Sequence, residues 1–124
     1  MEMRQMDELH AYLAGEVKAC QDRGLQLSAD FRADEAGLEK IKANIYGIFL
    51  TVLETAARTA PEGEEGAMRW FEKKLAQIPV SWQVSLDAAR EHADTGRIVV
   101  EEAKLETVRK IRDQVERIGR DVHV

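Results

Sequence analysis

Phe31, Leu38, Ile45 and Val52 recur at every seventh position, with Ile41 and Ile48 at the d-type positions between them. That is the spacing of a helix that packs lengthwise against others. Tyr46, Phe49 and Leu53 widen the stripe, so a helix over about residues 29–59 needs neighbours on more than one side. Ser28 and Asp30 are positioned to cap its first amides, Asp34 and Glu35 suit the dipole in its first turn, and Pro61 stops it. About 30 residues at ~1.5 Å each make a rod of ~45 Å, whereas a compact domain of this length has a diameter of roughly 35 Å. Either the molecule is elongated or a second copy covers the excess, and apolar residues toward both ends of the rod favour the second.

The rest of the chain also reads as helix. Met6, Leu9, Leu13, Val17, Cys20 and Leu27 fall along one side of a first helix over about residues 5–23, which Gly24 is expected to end. Pro61-Glu62-Gly63-Glu64-Glu65-Gly66 reads as a loop. Two short helices follow, one with Met68, Phe71, Leu75 and Ile78 on its apolar side and ended by Pro79. The other is capped by Ser81, has Trp82, Leu86, Ala89 and Ala93 along one face, and closes at Asp94-Thr95-Gly96. Leu105, Val108, Ile111, Val115, Ile118 and Val122 mark the buried side of a last long helix. Its other side carries Glu106–Lys110, Asp113–Arg117 and Glu116–Arg120 at four-residue spacing. The β-branched run Ile98-Val99-Val100 has no strand-like partner. The expected fold is an all-α antiparallel bundle of four to five helices, two or three long and two short, in a single domain over residues 1–124. The long helices near 29–59 and 97–121 are expected to pack antiparallel, with the first helix alongside and the short pair capping one end.

Charge narrows the partners. The net charge is −5, and even the most basic stretch, residues 97–124, carries only 7 bases against 6 acids. A polyanion site needs clustered bases, so nucleic acid is not expected as a ligand. No apolar run approaches the ~20 residues of a spanning helix, and the first residues carry acids where a signal peptide has bases, so neither membrane nor secretion is expected. A lone Cys20 inside an apolar stripe reads as a core residue in a reducing compartment, the cytoplasm.

The chemically suggestive residues each have an ordinary alternative. Asp7 and His10 have the three-residue step of helical metal ligands, but His92 and His123 lack a matching acid. Glu101, Glu102 and Glu106 gather carboxylates at the start of the last helix, where they also suit the dipole, and Glu101 faces the core side. Asp34 sits at a d-type position and Asn44 beside the seam, where polar groups set register, although Asp34 also reads as an exposed first-turn acid. Cys20 has no histidine within reach on its own helix, Ser81 and Ser85 lack a glycine elbow, and Gly63 and Gly66 enclose acids that repel phosphate. No catalytic residue, metal or cofactor is assigned. Tyr46, Phe49, Trp70, Phe71 and Trp82 are the candidate interface or pocket residues. On a helix, Trp70 and Phe71 point ~100° apart, so one enters the core while the other can meet a neighbour.

Asp34-Glu35-Ala36, then Glu39-Lys40-Ile41-Lys42-Ala43-Asn44-Ile45-Tyr46 and Phe49, then Ile78-Pro79 with Trp82, resemble a group of small helical bacterial proteins of unassigned function. The resemblance covers about residues 30–118. It implies a bacterial cytoplasmic helical bundle and supplies no catalytic residues. The function expected is non-enzymatic: a protein-interaction or scaffolding bundle that forms a homodimer or binds a protein partner. The alternative is a small-molecule-binding bundle with an aromatic-lined cavity.

Overall fold

The computed structural model describes residues 4–60 and 63–122. They form five helices: α1 (Arg4–Ala29), α2 (Ala33–Thr59), α3 (Gly63–Gln77), α4 (Val80–Glu91) and α5 (Thr95–Val122). No strand occurs among the described residues, and Ile98–Val100 lies within α5. Pro61, Glu62, His123 and the side chain of Val122, all named above, lie outside what is described.

α1 and α2 form a long antiparallel hairpin, tied by Arg23 Nε to Glu39 Oε2 at 3.3 Å near its turn and by His10 Nε2 to Glu54 Oε2 at 3.8 Å toward the other end. α2 is therefore covered along its length by α1 of the same chain, and the bundle is elongated. The expected need for a second copy to cover the rod disappears with that.

The hairpin turn corrects three expectations. α1 does not end at Gly24 but continues to Ala29. Gly24 lies against α2, where an added Cβ would come within 3.7 Å of the Ala36 carbonyl oxygen and the Glu39 Cβ, so this glycine belongs to a helix–helix contact. The end comes at Phe31, where the Phe31 amide donates to the Ser28 carbonyl at 3.1 Å and the Arg32 amide to the Leu27 carbonyl at 2.8 Å. These are the paired bonds of a Schellman motif, with Phe31 in its left-handed position at φ 60°. Phe31 is thus outside α2 and 95% exposed, not on the buried stripe. Ser28 is inside α1, Asp30 is in the turn, and neither caps α2, whose N-cap position is Arg32 with no side-chain cap bond.

The buried residues of α2 are Glu39, Ala43, Ile45, Tyr46, Phe49, Leu53 and Ala56. The seam is rotated by about one position, ~100°, from the seven-residue series. Leu38, Ile41 and Val52 are half-buried and Ile48 is exposed. Against this seam pack Met6, Leu9, Leu13 and Cys20 of α1, Met68, Phe71 and Leu75 of α3, and Val108, Ile111, Val115 and Ile118 of α5.

α3 starts earlier than expected. Residues 63–66 are its first turn, where Glu64 and Glu65 meet the positive end of the dipole, rather than a loop. α3 and α4 do not cap the bundle; end to end they form its third leg. Pro79 has φ −71° and ψ −7°, close to helical, so the chain bends there without turning back, and Ser81 falls inside α4, its Oγ donating to the Ile78 carbonyl at 3.5 Å. A second Schellman motif ends α4: the Ala93 amide bonds the Arg90 carbonyl at 3.2 Å and the Asp94 amide the Ala89 carbonyl at 2.8 Å, with Ala93 at φ 51°. The Asp94 Oδ1 then accepts the Arg97 amide at 3.2 Å and caps α5.

One leg in place of two changes the sense of α5. Leu38 and Lys42 from the first half of α2 share a groove with Leu86 and Arg90 of α4 and with Leu105 and Val108 of α5. Farther along α5, Arg112 Nη2 donates to the Leu75 carbonyl near the end of α3 at 3.5 Å. α5 therefore runs antiparallel to α4 and in the same direction as α2, not opposite to it as expected.

Candidate functional site

The aromatic candidates are distributed through the core. Tyr46, Phe49 and Phe71 are buried. Phe49 meets Phe71 edge-on at 6.2 Å and Trp82 at 6.4 Å, while Tyr46 meets Tyr12 at 6.0 Å. Trp82 is half-buried with the Lys104 ammonium 5.6 Å from its ring centre, and Trp70 is half-buried under Lys74 at 5.3 Å. Tyr46, Phe49, Phe71 and Trp82 pack against other rings, while Trp70 lies partly buried at the edge of the core. Phe71 is the one of its pair that enters the core. None of the five lines the surface grooves between α1 and α2, between α3 and α5, or among α2, α4 and α5.

The acid candidates do not converge. Glu101 is 4% exposed and its Oε1 accepts Lys104 Nζ at 3.1 Å, while its Oε2 is buried without a hydrogen-bond partner. Glu102 pairs with Arg90 at 3.6 Å, and Glu106 with Arg109 rather than with Lys110 as expected. His10 turns to Glu54. Among the described residues, no group of three or more histidine, cysteine or acidic side chains is placed to hold a metal. Asp34 and Asn44 are exposed.

A buried polar cluster went unread in the sequence. Glu39 accepts Arg23 Nε at 3.3 Å and Lys42 Nζ at 3.2 Å, and Arg23 Nη2 donates to Cys20 Sγ at 3.2 Å. Burial opposes ionisation of Glu39, but the bonds and charges of Lys42 and Arg23 outweigh it and hold the carboxyl below its ordinary range. Burial pushes the Cys20 thiol up, so it is not an activated nucleophile. Burial, then hydrogen bonding to Tyr12, pushes the Tyr46 hydroxyl up as well. A seam drawn through Ala43, Tyr46 and Leu53 runs one turn back into Glu39; that was the signal available.

A few large apolar side chains stand exposed among the described residues, Ile48 at 40% and Val99 at 45% the least so. Leu25 at 71% and Phe31 at 95% sit at the hairpin end, and Val80 at 60% and Val84 at 64% lie one turn apart on the outer side of α4. The class defined by this architecture is an all-α helical bundle, and no described helix is long and apolar enough to cross a membrane. Comparison with protein-family models, curated proteins and solved structures finds no match to the chain.

Proposed function

We propose that the protein is a protein-interaction module that self-associates. The observation that carries this reading is that the four most exposed large apolar side chains among the described residues fall in two places: Leu25 and Phe31 at one end of the hairpin, Val80 and Val84 one turn apart on α4. Single exposed apolar residues are ordinary on any surface, whereas adjoining ones mark contact sites. The polar groups support the same reading, since Glu101, Glu102 and Glu106 each engage a different base and present no shared reaction centre. The buried free thiol of Cys20 suits a reducing compartment and supports a cytoplasmic setting.

Light scattering after size exclusion, over a hundredfold concentration range, tests the reading. The expected result is a mass rising toward twice the 14.0 kDa of the chain. A constant monomer mass up to millimolar concentration would overturn self-association.

A further inference from the structure

The inference rests on the self-association reading and assigns its surface. A groove of about 490 Å³ lies on the α1–α2 hairpin and is lined by those two helices alone. Cys20, Gly24, Ala36 and Ala43 make it shallow-walled and apolar, while Leu25, Ser28 and Lys40 stand around it. Small residues by themselves do not make a site. The second observation is what stands next to them: Phe31, whose amide is bonded to the carbonyl of the groove residue Ser28 at 3.1 Å. Phe31 occupies the left-handed position of a Schellman motif, which glycine fills without strain, and its ring is 95% exposed. An aromatic residue there is unfavourable for the isolated chain both in backbone conformation and in solvation.

We propose that Phe31 of one copy seats in the α1–α2 groove of a second copy, and reciprocally, about a twofold axis at the hairpin end. Knob and recess adjoin on the same chain, so two hairpin ends laid antiparallel can exchange both contacts at once. Reciprocal exchange closes the assembly at two copies, whereas a one-way contact would leave a free knob and recess to propagate. The charges fit a second copy. Among the described residues, Lys40 at the groove has no acidic partner and Asp34 beside the turn has no basic one, and Asp30 accepts only the Gln26 amide. Antiparallel apposition carries the acidic turn of each copy toward the other's Lys40.

The area sets the strength. A buried aromatic ring removes ~200 Å² from water, so two rings and the two recesses they cover amount to ~800 Å². Leu25 and the polar surroundings bring the total to ~1,000 Å², the lower edge of specific interfaces. The dimer is therefore weak and concentration-dependent, with a dissociation constant in the micromolar range.

The test is sedimentation equilibrium on the full chain and on Phe31→Gly, Lys40→Asp, Asp34→Lys and the double variant Lys40→Asp with Asp34→Lys. Phe31→Gly relieves the left-handed backbone, so its thermal midpoint stays at or above that of the parent and loss of association cannot be ascribed to unfolding. The expected result is a rise of at least about tenfold in the dissociation constant for Phe31→Gly. Each single charge reversal should weaken the dimer, and the double reversal should recover it. A dimer that Phe31→Gly leaves intact overturns this surface while leaving self-association standing. A monomer at every concentration overturns both.

Discussion

Glu101 and Lys104 offer the most direct quantitative test of the packing. The Glu101 side chain is 5% exposed and that of Lys104 25%, they meet at 3.1 Å, and the second carboxylate oxygen has no hydrogen-bond partner. Removing one side of a buried ion pair costs ~3–5 kcal/mol, because the remaining charge is stranded, whereas replacing the buried charge by an apolar group of similar size is neutral or stabilising by ~1–4 kcal/mol. Lys104→Met leaves both carboxylate oxygens without a partner, so a loss of ~3 kcal/mol follows. At ~4 °C per kcal/mol for a domain of this size, its thermal midpoint falls by ~12 °C. Glu101→Met leaves only Lys104, whose head already reaches water and the Trp82 ring, and a gain of ~1 kcal/mol is expected. The double variant should resemble Glu101→Met, giving a coupling of ~3 kcal/mol in the cycle. Urea unfolding followed by circular dichroism provides all four stabilities. Lys104→Met within ~1 kcal/mol of the parent, or Glu101→Met destabilising by ~2 kcal/mol or more, would refute the assignment of a stranded carboxylate.

Phe49→Ala removes the ring that meets both Phe71 and Trp82 and should cost ~3–5 kcal/mol; urea denaturation showing a loss below ~1.5 kcal/mol would contradict its central position. Ala93→Gly relieves the φ of 51° at the end of α4 and should stabilise by ~1 kcal/mol. Gly24→Ala meets its neighbours only at 3.7 Å and should stabilise by ~0.5–1 kcal/mol as a helix-interior change. Thermal midpoints check both. Alkaline stability should fall, because burial raises the Cys20 and Tyr46 groups above their unfolded values. Their contribution is complete below about pH 8.5 and is lost as the unfolded chain ionises through the ordinary thiol and phenol ranges. The lowered Glu39 carboxyl acts in the opposite sense. Its stabilisation is present above the ordinary carboxylate range and lost as pH falls through the lowered value, so Glu39→Gln should flatten the acid limb of a pH–stability curve.

Periodicity carried the fold class, because the apolar series along α2 and α5 can be satisfied only by helices packed side by side. It did not carry the rotation of α2. Branched aliphatics at Leu38, Ile45 and Val52 formed the tidier series, yet of these only Ile45 is fully buried, whereas Tyr46, Phe49 and Leu53 all are once α1, α3 and α5 surround the helix. The sense of α5 was missed for a local reason. Pro79 marks a boundary in sequence, but whether the chain turns back there depends on tertiary contacts, and its near-helical conformation lets α3 and α4 share one leg.

The hairpin end was the least legible region, and the reason bears on function. Local rules put glycine at a helix end and a large apolar residue inside the stripe. This chain has them exchanged: Gly24 stands in the interior of α1 against Ala36, and Phe31 stands at the end in the left-handed position, exposed. The glycine stands at a helix–helix contact within one chain, where a Cβ would meet its neighbours at an ordinary 3.7 Å. Nothing within one chain accounts for the phenylalanine, since the turn would form with glycine and the core is complete without the ring. Sequences that fold well satisfy local preferences almost everywhere and depart from them mainly at functional sites. The departure at Phe31 is therefore where an interaction surface is to be sought first, ahead of the aromatic cluster at Phe49, which obeys every rule of a core.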